Sequence, residues 1–388
     1  MNYSFLSAVP DRVIAHNELL SAQALGKQMK IHSTQLGVPD LDDVKIAIIG
    51  VPESRNDIDY IGQELDFDSI RKALYALFPG NWPKSIADLG DILPGETVED
   101  TYFALRSTIT DLLKLKIIPI VIGGSQDLTY AAYRAYDEVI PMVNIVNVDC
   151  NFDLGDSSKP INNKSFLGKI IMEKPYNLFN YATVGYQTYF NSGDEIDLMQ
   201  KLYFEAYRLG EVNADISMVE PVFRDANIVS LDLRSVRASV LSDRQKNSPN
   251  GFDGREICSI ARYAGISNKV SSFGIFEYQE SSNDDLTSGL IAQMIWYFIE
   301  GVNCRVADDD FEDEKHYQRY TVLIEDNDLI FLKSIKTGRW WIEIPFLPNV
   351  NNKLKRHTLL PCMHSDYVDA TNGIIPERWF KAFKKNSI

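Results

Sequence analysis

This 388-residue chain is short of basic residues, histidine and cysteine, and each shortage narrows what it can do. Lys and Arg together number 39 against 54 Asp and Glu, a formal charge of −15. Gripping phosphates takes clustered Lys and Arg that release counterions, so the balance argues against nucleic acid and anionic membrane surfaces as partners. The four cysteines, Cys150, Cys258, Cys304 and Cys362, are widely spaced with no CxxC pair, which excludes a disulfide framework and a zinc knuckle. They are expected to be small buried hydrophobes in a reducing compartment. The first residues carry no basic segment followed by an apolar one, and no run approaches the ~20 apolar residues of a membrane span. A cytoplasmic protein without membrane insertion is the expectation. There is no Walker lysine and no GxGxxG, and Ser125 lies in GGSQD rather than GxSxG, so neither a phosphate loop nor a serine nucleophile is indicated.

What is present is a large apolar inventory, 45% of the chain, enough for a sizeable core. Short β-branched runs (VKIAIIGV, IIPIVIGG at 117 to 124, MVNIVNVD at 142 to 149, NIVSLDL at 227 to 233) alternate with amphipathic segments such as VEDTYFALRSTITDLLKLK and DLTSGLIAQMIWYFIEG. Runs apolar on both faces, separated by helical periodicity, predict parallel strands joined by crossover helices. The fold class is α/β, a three-layer arrangement around a mostly parallel sheet. The expected organisation is an N-terminal helical extension over 1–44, the α/β domain over 45–304, and an acidic linker with a C-terminal hairpin and tail over 305–388. The acids at 307 to 314 are expected to be solvated. DLIFLKSIKTGRWWIEIPFL predicts strand, Lys-Thr-Gly turn, strand, with Trp340 and Trp341 on opposite faces, one packed on the core and one free for a partner.

In parallel α/β sheets ligands sit beyond the carboxyl ends of the strands. Four such ends are polar: GGSQDLT, DCNFD, DLRSVR and FEYQ. Asp149, Asp153 and Asp232 fall at two of them, and carboxylates gathered there repel one another unless a cation joins them.

These ends resemble a known family. GGSQDLT resembles the GGDHS-type turn of the ureohydrolases (arginase, agmatinase and formimidoylglutamase), VDCNFD resembles their DAHxD strand end, and SLDLRSVR resembles their S-F-D-x-D-x-x-D segment. Order and spacing match, Glu277 resembles the family's closing Glu, and the resemblance covers roughly residues 45 to 302. It implies an arginase-like fold and a site where two His and four Asp hold two manganese ions around a hydroxide. Carried over by motif, the His positions hold Gln126 and Asn151, the Asp positions hold Asp149, Asp153, Asp232 and Arg234, and the last, non-ligand Asp of the segment is Arg237. Three of six ligands are therefore replaced, and three carboxylates with one guanidinium leave −2 where the family presents −4. Arg234 stays protonated and is expected to stand in for one cation. The resemblance implies Glu277 as the carboxylate facing the substrate's cationic group. The residues alone suggest instead a salt bridge from it to Arg234 or Arg237. The segment 157 to 169, where relatives carry a proton-shuttling His, offers only Lys164 and Ser165. His16, His32, His316, His357 and His364 lie away from the strand ends and are expected to be surface or packing residues.

No cofactor is expected. The alternative is manganese, or one magnesium or calcium on Asp149, Asp153 and Asp232. Three functions follow: a non-catalytic binding, scaffolding or regulatory protein with a protein partner or as a homo-oligomer; a metal-dependent C–N hydrolase acting on a guanidino or formimidoyl substrate; and a metal-free pocket in which Arg234 and Arg237 grip an anion.

Overall fold

The computed structural model describes residues 3–59, 64–242, 248–279, 285–308, 314–324, 327–345 and 358–387. Its centre is a nine-stranded sheet built from β1 (Lys30–Ile31), β2 (Val44–Val51), β3 (Ser85–Asp91), β4 (Ile118–Gly123), β5 (Val143–Val148), β6 (Leu178–Tyr186), β7 (Glu205–Arg208), β8 (Ile228–Asp232) and β9 (Ser272–Phe276). All pairs are parallel, in the order β1-β3-β2-β4-β9-β8-β5-β6-β7.

Strand alternation divides the apolar side chains between two layers. Ile46 and Ile48 of β2 join one core and Ala47, Ile49 and Val51 the other. The helix Asp285–Asn303 covers the first face with Ile291, Ile295 and Phe298, and the helix Val98–Lys114 covers the second with Leu105, Ile109 and Leu112. The latter starts where Thr97 predicts it: Thr97 Oγ1 accepts from the Asp100 amide and the Asp100 carboxylate accepts from the Thr97 amide. Burying both faces is why the strands read as continuous apolar runs. None of the helices in the described residues is long and apolar enough to cross a membrane.

The N-terminal stretch holds the expected short helices, Asp11–Glu18 and Leu25–Gln28, but also contributes β1, an edge strand of the main sheet. The C-terminal part forms a second, four-stranded antiparallel sheet from β10 (Tyr317–Ile324), β11 (Asn327–Ser334), β12 (Trp340–Ile344) and β13 (Thr358–Cys362). The Lys-Thr-Gly turn joins β11 to β12, with Gly338 at φ +73°, a conformation glycine takes without strain. Neither Trp of β12 is free: Trp340 is 7% exposed and Trp341 6%. Tyr367 stacks on Trp340, and the Arg224 guanidinium lies 4.8 Å over the Trp341 ring, so both faces of the strand are covered. Asp308, expected in a solvated run, is buried and accepts from Ser334 and Thr337. The acids at 309 to 313 and His357 lie outside the described residues.

Charged side chains fasten this C-terminal unit to the α/β domain, Arg224 through backbone carbonyls and Arg378 through a carboxylate. Arg224 donates to the carbonyls of Trp340 (3.2 Å) and Cys362 (2.9 Å). From the last helix, Glu377–Ser387, Arg378 Nε donates to Glu205 Oε2 at 2.6 Å, on the free edge strand β7. Burial opposes the charge on Glu205, but the Arg378 guanidinium outweighs it and holds the carboxyl down at about 2. A depressed carboxyl contributes stability that is present above its unfolded value and lost as pH falls through the folded one. The stability difference between wild type and Glu205→Gln, measured by urea denaturation, is therefore expected to be constant from pH 7 to 5 and to shrink as pH drops from about 4.5 toward 2. A difference independent of pH would refute the ionic latch.

Candidate functional site

Four neighbouring strands, β4, β9, β8 and β5, deliver their carboxyl ends to one place. Gln126 follows β4, Glu277 follows β9, Asp232 ends β8, and Asp149 and Asp153 follow β5. The strand β4 reaches a tight turn at Gly124, where an added Cβ would lie 2.4 Å from the Glu53 carbonyl. Its compactness aims the Gln126 amide at Glu277 Oε1, 2.8 Å away. Asp232 caps the 3-10 turn Leu233–Ser235 by accepting from the Arg234 amide at 2.6 Å, which folds the Arg234 side chain back over the strand end.

Arg234 is the centre of the site. Its Nε lies 3.0 Å from Asp232 Oδ2, its Nη2 3.2 Å from Glu277 Oε1 and its Nη1 3.5 Å from Asp59 Oδ2, with 15% of the side chain exposed. One guanidinium thus joins the ends of β8 and β9 to the loop after β2. Between the two expected partners of Glu277, the structure selects Arg234. Arg237 is elsewhere: it pairs with Asp253 at 3.4 Å and 42% of its side chain is exposed. The two-arginine anion grip is therefore not formed, because the turn after β8 sends the side chains of Arg234 and Arg237 to different neighbours.

On the other side of the cluster, Gln126 Nε2 donates to Asn147 Oδ1 (2.8 Å) and Ser230 Oγ (3.3 Å), and Asn147 Nδ2 donates to Asp149 Oδ2 (3.1 Å). Asp149 and Asp153 follow the same strand, and the charge of Asp149 adds to burial in raising the Asp153 carboxyl. Gln126 Oε1 and Asp153 Oδ2 are buried and, among the described residues, have no hydrogen-bond partner. Asn151 turns outward, donating from Nδ2 to the Phe190 carbonyl and accepting from the Cys150 thiol. Asp153 and Glu277 both have left-handed backbones, φ 54° and 64°. Positive φ in residues with a Cβ is strained and marks places where side-chain direction is imposed by surroundings.

Charge at this site does not balance. Asp149, Asp153, Asp232 and Glu277 are all buried, and the Arg234 guanidinium contacts two of them, Asp232 and Glu277. Desolvation lifts the Asp232 carboxyl to about 7 even with Arg234 beside it. Desolvation, aided by Asp149, drives Asp153 well above the usual carboxylate range, and burial does the same to Glu277 against the pull of Arg234. Burial and mutual repulsion therefore favour proton uptake by this cluster. Arg234 itself is held protonated, since the carboxylates outweigh its burial.

Residues outside the strand-end motifs complete the site. Asn163 Nδ2 donates to Asp57 Oδ1 (2.9 Å) and Glu277 Oε1 (3.3 Å), and Lys164 Nζ pairs with Asp59 Oδ2 at 3.0 Å. Asp57 and Asp59 follow the β2 run, so the strand-end rule applied to β2 finds them. Ser165 only closes its own turn, through the Asn162 amide. His32 Nδ1 lies 2.9 Å from the Leu89 carbonyl, and His364 packs on Trp340. Among the described residues, no three His, Cys, Asp or Glu are grouped so as to hold a metal ion.

The sequence model of the arginase family matches residues 44–300, the whole main sheet from β2 to β9. The chain belongs to the arginase family. It is 23% identical over 238 residues to a formimidoylglutamase of Streptococcus gordonii, covering 55% of this chain and 70% of that protein. Among solved structures it is similar to the formimidoylglutamase of Bacillus subtilis (17% identity, TM-score 0.62, 77% of this chain and 100% of that one). It is also similar to the formiminoglutamase of Trypanosoma cruzi with manganese (19% identity, TM-score 0.61, 69% and 96%). At these identities the structural likeness establishes the arginase fold.

Removing Arg234 would strand buried carboxylates, a change that costs roughly 3 to 5 kcal/mol in comparable pairs. Arg234→Ala is expected to lose stability on that scale in urea denaturation at pH 7. Adding Asp232→Asn and Glu277→Gln to the same chain is expected to recover most of it. A single variant as stable as wild type would rule out Arg234 as the counter-ion of the site.

Proposed function

We propose that this arginase-family chain is non-catalytic, a binding, scaffolding or regulatory protein in which Arg234 takes the part of a metal ion. The observation that carries this reading is the guanidinium of Arg234 in contact with Asp232, Glu277 and Asp59. The donor set does not fit two manganese ions. By motif, two of the six ligand positions are amides in place of imidazoles and a third is a permanent cation, which repels a divalent ion at contact distance. Glu277, which the resemblance assigns to the substrate's cationic group, already has a guanidinium from its own chain. Among the described residues no imidazole joins the cluster to shuttle a proton, and the nearby Lys164 is spent on Asp59. What the arrangement does well is hold four strand ends together without a metal, leaving the family scaffold free to present surfaces to a protein partner or a second copy.

One observation favours the alternative, a metal-dependent C–N hydrolase acting on a guanidino or formimidoyl substrate. Gln126 Oε1 and Asp153 Oδ2 have no hydrogen-bond partner among the described residues, and uncharged and carboxylate oxygens together suit a single hard ion such as magnesium or calcium.

Elemental analysis after dialysis against manganese, with a turnover panel of arginine, agmatine and formimidoylglutamate, separates the two. The expected outcome is metal near zero and no release of urea, formamide or ammonia. Stoichiometric metal with turnover abolished by Asp232→Ala would replace the proposal with the hydrolase.

A further inference from the structure

At the opposite end of the main sheet a partly buried ammonium, that of Lys385, has no ion pair among the described residues. A cavity of about 410 Å³ opens at the amino ends of β6 and β7. Its walls are apolar, from Ile170, Ile171, Leu178, Phe179, Leu202 and Phe204, with Tyr176, 55% exposed, also in its lining. Lys201 and Lys385 bring the positive charge in its lining, and no carboxylate joins them there.

Lys385 comes from the last helix. Its Nζ donates to Asn180 Oδ1 and lies 5.2 Å over the ring of Phe204 and 6.0 Å from that of Phe179. The nearest candidate counter-ion, Glu205, is already used: Oε1 accepts from Asn180 Nδ2 at 2.8 Å, and Oε2 from Arg378 and Tyr207. Lys381, on the same helix, pairs with Glu377. Among the described residues, no carboxylate forms an ion pair with Lys385. Ring faces and one amide oxygen leave an ammonium with unmet donors facing an apolar hollow, and burial pushes it down to about 8.

We propose that this cavity is a binding site for a small carboxylic acid with an apolar tail, the carboxylate paired with Lys385 and the tail laid along Phe179, Leu202 and Phe204. The volume lies within the usual range for small-molecule sites, roughly 300 to 1,000 Å³, and an apolar wall with one or two placed charges is their usual make-up. The site shares no residue with the Arg234 cluster, so it stands whether or not that cluster binds metal.

Decanoate, kept below its micelle threshold, and the neutral decanol are titrated calorimetrically into the full chain, into Lys385→Met and into Ile171→Trp. Met keeps the length and apolar character of the lysine stem while removing the charge. Wild type is expected to bind decanoate at least tenfold more tightly than decanol, the scale of one charge-assisted pair. Lys385→Met is expected to bind the two alike, and Ile171→Trp, which fills the groove from its partly exposed side, to bind neither. Equal binding of acid and alcohol by wild type, or no binding of either, overturns the proposal without recourse to a variant. Unchanged decanoate affinity in Lys385→Met, with native circular dichroism, overturns it as well.

Discussion

The guanidinium of Arg234 is the contact on which the carboxyl end of the sheet depends. Strands β4, β9, β8 and β5 are neighbours, and each ends in a residue of the cluster. Parallel strands converge their polar ends by construction, so the fold concentrates negative charge wherever those ends are acidic. In a buried place the repulsion is screened little by solvent, and some positive charge must answer it. Arg234 answers part of it through Asp232, Glu277 and Asp59, and the part left unanswered, together with burial, raises the Asp153 and Glu277 carboxyls. A covalently attached cation has a consequence that a bound ion lacks. It cannot dissociate, and its fork fixes direction as well as charge.

The sheet was legible wherever a strand is apolar on both faces. Strands β2, β4, β5, β8 and β9 read directly from the sequence, and they are the ones that carry the motifs. Strands β3, β6 and β7 do not read that way, because polar residues occupy buried positions and are satisfied by partners distant in sequence. Asp88 of β3 is bonded by Arg71 and Tyr75, and Asn180 of β6 by Glu205 and Lys385. A polar residue in a short run reads as a loop unless its partner is known, and the partner is supplied only by the fold. Strand β13 hides for another reason: Pro361 cannot donate to a ladder, which demotes the run in any sequence reading.

The site divides along the same line. Gln126, Asp149, Asp153, Asp232, Arg234 and Glu277 are visible because each directly follows or ends an apolar run. Asn151 and Arg237 are visible by the same rule but are turned to Phe190 and Asp253, since position along a strand end does not fix the rotamer or the turn that follows. Asn163 is invisible: it comes from the connection between β5 and β6 and reaches Glu277 from more than a hundred residues away.

The two ends of the sheet pose one electrostatic problem with opposite sign. At the carboxyl end there are more buried carboxylates than cations, and the surplus favours the uptake of protons. At the amino end Glu205 faces both Arg378 and Lys385, and the surplus cation is shed in part by lowering its affinity for a proton. A carboxylate surplus settled by protons is self-contained, because water supplies them without further ligand. An ammonium against ring faces has no such remedy among the described residues: losing its proton removes the charge but leaves polar donors beside an apolar hollow. By this argument the amino end, more than the inherited site, is where the structure gains from an outside partner.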